Sequence, residues 1–197
     1  MIYNFIEIGT SDFDTLIGTT QGPGLSVEPL DYYLNRLPSD PNTIRANFAL
    51  TNFDGGIKIF WVTPENIKKY NLPHWVRGCN SVNAPHPTIK ELLGERHDEI
   101  VNVTTVPCYS WSTFIKIYDI QQIHTLKIDT EGHDAIILSE YLKVCKSNPN
   151  LLADSIWFEN NILSNPTIMN PIIDTFISLN YKGNQSGDDY FLTKNYA

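Results

Sequence analysis

The apolar positions of this chain switch repeatedly between strand and helix periods. Residues 2–8 (IYNFIEI) form a short, nearly continuous apolar run, as a buried parallel strand requires. A helix is predicted over 12–20, capped by Ser11 or Asp12. Residues 24–28 (GLSVE) read as a second strand, and Pro29 opens a short helix through about Leu37. The turn cluster SDPN at 39–42 precedes a third strand over 43–50 (TIRANFAL). Asp54-Gly55-Gly56 signals a turn, and 57–63 (IKIFWVT) alternates as a strand. Residues 64–98, rich in Pro, Asn and His, are predicted to be irregular. Alternation returns at 100–106 (IVNVTTV), which is expected to pair with 57–63 as an added hairpin. There follow a helix near 110–119, a strand at 123–128 (IHTLKI) and a helix from about Gly132 to Lys146. A strand at 152–158 and a helix at 167–179 lead to two terminal strands, 180–184 and 189–194, around Ser186-Gly187-Asp188.

Alternation of this kind predicts an α/β fold with a mainly parallel sheet and helices on both faces. The 197 residues suit one domain, 1–197, with a substrate-covering insertion at about 56–110. In such sheets ligands sit beyond the carboxyl ends of the strands, so those ends are where chemistry is sought.

Composition narrows the function classes. A net charge of −8, with no clustering of Lys and Arg, argues against nucleic acid as a partner. No apolar run is long enough to span a bilayer. The N-terminal stretch MIYNFIEIGTS lacks a basic region before its apolar residues, so it does not read as a secretory signal. Cys79, Cys108 and Cys145 form no CxxC pair, which points away from a disulfide scaffold or a cysteine zinc site and toward a reducing, cytoplasmic setting. The ten Tyr and four Trp chiefly fill a core, though their flat faces also suit sugar-like ligands.

At the first strand end, Glu7-Ile8-Gly9-Thr10-Ser11-Asp12 carries one glycine at a sharp turn, where a ligand can approach the backbone closely. It is not GxGxxG, and Asp12 and Asp14 would repel a pyrophosphate while tolerating a sulfonium or an amino group. Glu28, at the second strand end, is placed to accept both ribose hydroxyls of a nucleoside, or else serves as a helix N-terminal charge. After the third strand, Ala49 and Leu50 could flank an adenine ring, with polar atoms from Thr51, Asn52 or Asp54. The densest cluster is LKIDTEGHDAIIL, 126–138, with Asp129, Glu131, His133 and Asp134 at a strand-to-helix junction. Glu159 and Asn160 add polar groups on the same rim.

Glu7-x-Gly9, Val27-Glu28-Pro29, Asn47-x-Ala49-Leu50 and above all Leu126-Lys127-Ile128-Asp129-Thr130-Glu131-Gly132-His133-Asp134 resemble the FkbM family of S-adenosylmethionine-dependent methyltransferases. The four motifs stand in family order and cover roughly residues 3–160. The resemblance implies a Rossmann-like class I methyltransferase fold, with a seven-stranded sheet whose last strand is antiparallel. It implies S-adenosylmethionine held by Glu7, Gly9, Thr10, Ser11 and Asp12, by Glu28 and Pro29, and by Ala49, Leu50 and Thr51. It also implies O-methylation, commonly of sugars or secondary metabolites, with Asp129 and Glu131 near the methyl group and the acceptor. Two departures stand out. Phe13-Asp14 occupies the region of the family's second glycine, and the chain starts directly at the first strand. The substrate cover is therefore expected from 64–98, from a homo-oligomer or from a fused partner domain.

An alcohol acceptor needs a base. Asp129 is the first candidate and His133 the second. The insertion offers His74 and His86 as further bases. Trp75, or Trp111 beyond it, could stack on a sugar face, with Glu131, Glu159 and Asn160 as further acceptor contacts. Three rivals remain open. The first is a metal-assisted methyltransferase in which Asp129, Glu131, His133, Asp134 and Glu159 hold a Mg²⁺-like ion. The second is a non-catalytic methyltransferase-fold binding module of a larger glycan-modifying protein. The third, a nicotinamide dehydrogenase, has the wrong glycine pattern.

Overall fold

The computed structural model describes residues 1–11, 13–83 and 86–196. Strand β1 (Ile2–Ile8) runs up the centre of the main sheet, and β2 (Gly24–Val27) pairs parallel to it. The short helix α1 (Asp31–Leu34) follows, then β3 (Thr43–Ala46), parallel to β2. The chain then leaves the main sheet. β4 (Ala49–Thr51), β5 (Gly55–Trp61) and β6 (Asn102–Ser110) form a three-stranded sheet of their own, in which β6 is central. Between β5 and β6 lie the helices α2 (Pro64–Lys69), α3 (Pro87–Leu93) and α4 (His97–Ile100) and a 3-10 turn at His74–Gly78.

From α5 (Trp111–Tyr118) the chain returns to the main sheet through β7 (Gln122–Ile128), α6 (Asp134–Ser147), β8 (Ser155–Glu159), α7 (Pro166–Ser178), β9 (Tyr181–Ser186) and β10 (Asp189–Lys194). The main sheet has seven strands in the order β3-β2-β1-β7-β8-β10-β9. Its first five strands are parallel, and β10 is antiparallel to both neighbours. Strand order therefore reverses between β1 and β7, and the carboxyl ends of these two strands open a crevice.

Helices α5, α6 and α7 cover one face. Their buried aromatics (Trp111, Phe114, Tyr141, Phe176) pack on Ile6, Leu126, Ile156 and the other apolar strand residues to form the main core. The other face carries a polar row, Ser26–Glu7–Lys127–Trp157, in register across β2, β1, β7 and β8. Glu7 is fully buried. Its carboxylate accepts from Thr15 Oγ1 (2.6 Å), the Leu16 amide (2.7 Å) and Ser26 Oγ (2.5 Å). Lys127 Nζ donates to Asp14 Oδ2 (2.5 Å) and to the Asp14 carbonyl (3.0 Å), over the Trp157 ring.

These contacts explain why the helix predicted at 12–20 does not form among the described residues. The segment is a chain of turns and isolated bridges, Ser11–Asp14 and Ile17–Thr20, with Gly18 and Gly22 at positive φ. The Leu16 amide and the Asp14 carbonyl pair with the sheet's own side chains, and other amides of the segment close local turns on Ser11, Thr15 and Leu16. Three other expectations are corrected. The strand over 43–50 is two strands in two sheets, because Asn47 turns aside to donate to the carbonyls of Glu28 and Pro29. The helix after Pro29 spans only Asp31–Leu34. The stretch 64–98 is partly helical, since Thr63 and His86 each cap a helix whose first residue is proline.

No helix among the described residues is long and apolar enough to cross a membrane.

Candidate functional site

A cleft opens over the carboxyl ends of β1, β2 and β7, with β4, β5 and the 78–82 segment forming its far wall. Gly9 makes the close approach there. Its φ is +78°, and a Cβ at this position would stand 1.9 Å from the Asp129 carbonyl oxygen. The turns after β1 and β7 thus touch backbone to backbone, tied by Gly9 N to Val27 O and Asp129 N to Ile8 O, both 2.9 Å. Thr10 follows, 2 % exposed, and its hydroxyl has no hydrogen-bond partner among the described residues.

Glu28 ends β2 inside the cleft. One carboxylate oxygen accepts from the Leu30 amide (2.7 Å). Burial, with the charge of Asp129 adding to it, raises its pKa to about 8. Three further carboxylates converge at the β7 and β8 ends: Asp129, Glu131 and Glu159 each place an oxygen within 4.8 Å of the others. Burial first, then neighbouring acids (Asp134 beside Asp129, Asp129 and Asp134 beside Glu131, Glu131 and Asp129 beside Glu159), lifts them to about 7, 8 and 9. Glu131 (φ +51°) and Gly132 (φ +90°) are both left-handed, and this tight turn sets the acids at the head of α6.

Asp134 is different. Fully buried, it accepts from Thr130 Oγ1 (2.6 Å) and from the amides of Thr130 and Glu159 (both 3.2 Å), so it fastens the β7 turn to the end of β8.

His133 joins three segments. Asn83 Oδ1 lies 3.2 Å from Nδ1 and can only accept, so Nδ1 carries the proton and Nε2 accepts from the Thr51 hydroxyl at 3.0 Å. Burial holds its pKa down to about 4, so the ring is neutral at pH 7. The 81–83 segment is pinned to the same turn by Ser81 Oγ to Glu131 O and Asn83 Nδ2 to Gly132 O, both 2.8 Å. His86 Nε2 lies 3.4 Å from Glu131 Oε2, while its Nδ1 accepts from the Thr88 amide. Nε2 therefore carries the proton in the neutral ring. Cys79, His86 and Glu131 form a second group with ligand atoms within 4.8 Å of one another. Ligation through Nε2 would cost His86 its helix-capping bond.

The structure brings together in the cleft Gly9, Thr10, Ser11, Glu28, Pro29, Ala49, Leu50, Asp129, Glu131 and His133. Glu159 joins through the carboxylate group, and His86 through Glu131. It does not bring in the others. Glu7 is consumed by the polar row. Thr51 sits behind His133. Trp111, 1 % exposed, is sealed in the main core with its indole N–H on the Ile137 carbonyl. His74 and Trp75 lie on the surface outside the cleft, Trp75 being 47 % exposed. Asn160 bonds Gln185 at the exposed rim (2.9 Å). Asp12 lies outside the described residues. Sequence reasoning missed Phe13, Tyr33, Phe48, Ile59, Asn80 and Val82, all of which line the cleft. The aromatic pair after Glu28-Pro29 was the available signal for Tyr33, and Asn80 had none.

A family model described as the methyltransferase FkbM domain matches residues 10–182. The chain belongs to this family, and with it to the methyltransferases. Comparisons with curated proteins and with solved structures gave no match.

Proposed function

We propose that this chain is an S-adenosylmethionine-dependent O-methyltransferase acting on a hydroxyl of a sugar, a glycan or a related small molecule. The observation that carries the reading is that Glu28, a buried acid at the second strand end, and the Thr10 hydroxyl, which has no partner among the described residues, line the same cleft. A buried hydroxyl without a partner is costly unless a ligand supplies one. Glu28 would hold the ribose hydroxyls, the Gly9–Ser11 turn the amino-acid part, and Ala49 and Leu50 would flank the base. S-adenosylmethionine, when bound, offers a sulfonium methyl group to an oxygen nucleophile. The seven-strand order and the antiparallel β10 agree with a class I methyltransferase sheet.

The protein's own work is alignment and proton removal. Asp129, raised to about 7 by burial, is suited to take the acceptor's hydroxyl proton near neutral pH. His133 is the weaker base, since both its nitrogens are engaged and its pKa is near 4. Glu131 and Glu159, raised to about 8 and 9, keep protons at neutral pH and can donate to a polyhydroxyl acceptor. The three free thiols fit a reducing, cytoplasmic setting.

A second reading is favoured by one observation. Asp129, Glu131 and Glu159 are close enough to share a divalent cation that would orient the acceptor oxygen. His133 and Asp134 do not belong to such a set, because their polar atoms are already bonded.

The test is calorimetric titration with S-adenosylmethionine and S-adenosylhomocysteine, alongside Glu28→Ala and an acceptor screen that starts from deoxy-sugars. Binding that Glu28→Ala loses, with methyl transfer that Asp129→Asn loses, supports the reading. Binding without transfer to any acceptor would favour a non-catalytic module. Loss of transfer in chelator, restored by Mg²⁺, would favour the metal-assisted route.

A further inference from the structure

The segment between β5 and β6 meets the β7 turn at three ligand atoms of three different kinds. Cys79 follows the 3-10 turn at His74–Gly78, His86 stands immediately before α3, and Glu131 sits in the left-handed turn between β7 and α6. The Cys79 thiol, a nitrogen of His86 and a carboxylate oxygen of Glu131 lie within 4.8 Å of one another, and all three residues are half-buried. The junction is already docked. Ser81 Oγ donates to the Glu131 carbonyl and Asn83 Nδ2 to the Gly132 carbonyl, both at 2.8 Å. His86 Nε2 and Glu131 Oε2 stand 3.4 Å apart. Two ligands held at about 2.0–2.1 Å in a tetrahedral zinc site are separated by about 3.3 Å, so this pair has the spacing that the ion requires. The thiol's hydrogen bond is weak, to the Trp75 carbonyl at 3.9 Å. Burial, with the charges of Glu131 and Glu159 adding to it, pushes the thiol up to about 12. Acids that oppose a bare thiolate attract a cation, and the cation in turn holds the thiolate.

We propose that Cys79, His86 and Glu131 bind a zinc ion, with water in the fourth position that such three-ligand sites keep open. A thiolate and an imidazole favour Zn²⁺ over Mg²⁺ or Ca²⁺, which take oxygen ligands. Binding releases the Cys79 thiol proton and the Glu131 carboxyl proton to solvent, and the His86 proton moves from Nε2 to Nδ1. The Thr88 amide then loses its acceptor, but Thr88 is exposed and the amide can turn to water. One cap bond is small beside the free energy of zinc binding. Only one of the three protein ligands is a cysteine, so the lack of a CxxC pair does not bear on this site. Glu131 is common to this group and to the Asp129–Glu131–Glu159 group, and the thiol is what tells the two apart. The ion ties Cys79 and His86 to the β7 turn beside the cleft, whatever ligand the cleft takes.

The experiment uses the full chain, freed of metal by a chelator and kept reduced, and titrates it with Co²⁺ as a spectroscopic substitute for zinc. The wild type is expected to give a thiolate-to-cobalt charge-transfer band in the near ultraviolet and the strong visible absorption of a tetrahedral site, saturating at about one ion per chain. Zn²⁺ should bleach both, and excess Mg²⁺ neither. Cys79→Ser should lose the near-ultraviolet band, and His86→Ala should weaken Zn²⁺ binding in calorimetry by roughly tenfold or more. Glu159→Gln, which belongs only to the other carboxylate group, should keep the band. Thermal unfolding confirms that each variant is folded. No thiolate band in the folded wild type, or one that survives in Cys79→Ser, overturns the proposal. So does Zn²⁺ binding that Cys79→Ser and His86→Ala leave undiminished while Glu159→Gln abolishes it, which would place the ion among the three carboxylates instead.

Discussion

The two ends of the main sheet treat buried polar atoms in opposite ways. Where the strands begin, the buried tyrosines are all satisfied. Tyr3 donates to Tyr118 O (3.0 Å) and Tyr181 to Ala153 O (2.5 Å). Tyr141 donates to Leu151 O (2.5 Å) and accepts from the Ala153 amide (2.8 Å). Where the strands finish, Thr10, Tyr33 and Asn80 each leave a buried polar atom without a partner among the described residues, and four carboxylates are forced up toward neutrality. An unsatisfied buried group costs roughly 1–3 kcal/mol. Among the described residues the main sheet carries that cost at the end where its strands finish. Stability is built at the base of the sheet, and the top is held in a state that a ligand would relieve.

Four experiments bear on this contrast. The largest effect is expected from Gly9→Ala, where a Cβ would meet the Asp129 carbonyl and φ is unfavourable for alanine. Such a clash lies in the severe class of substitutions, so Tm should fall by about 10 °C or more. A Tm near that of the wild type would mean that the β1 and β7 turns do not touch as described.

Next comes pH. Each raised acid holds its proton in the folded state above the pH at which the unfolded chain releases it. Stability is therefore greatest below the unfolded values, near pH 4–5, and is lost as pH climbs through the folded values of about 7 to 9. A fall in Tm of roughly 5–10 °C between pH 5 and 9 is expected, and Glu28→Gln should reduce it. A Tm that rises over this range would show the cleft acids to be paired instead.

Third, Tyr141→Phe removes a hydroxyl with two partners and should cost about 1–3 kcal/mol in denaturant unfolding. Last, Tyr33→Phe removes a hydroxyl with no partner among the described residues, and its unfolding free energy should rise by about 1 kcal/mol or more over the wild type. Equal losses in the two tyrosine variants would erase the distinction between the two ends.

Much of the scaffold was legible because its signals are local. The continuous apolar runs at 2–8 and 123–128 mark buried strands. Lys-Ile-Asp-Thr-Glu-Gly-His-Asp, directly after such a run, had to lie at a strand end. What escaped depends on contacts distant in sequence. The stretch at 12–20 looks helical until Glu7 and Lys127 are known to hold the Leu16 amide and the Asp14 carbonyl. Trp111 and Trp75 are alike as letters, and only the packing of α5 sends one into the core and leaves the other on the surface. The place of Asn80 in the cleft lining rests on its side-chain bond to the Arg77 carbonyl and on walls supplied by other segments, which no local pattern encodes.

The imidazole of His133 is bonded to Thr51 and Asn83, residues 82 and 50 positions away along the chain. Contacts of such span close large loops, and their entropy must be met before they reward the chain. The cleft should therefore assemble late in folding. The pairing of β1 with β7, from Ile2↔Gln122 to Ile8↔Ile128, spans longer still, so the centre of the sheet and the binding site should close together, and ligand added during refolding should slow unfolding without hastening the first steps of collapse.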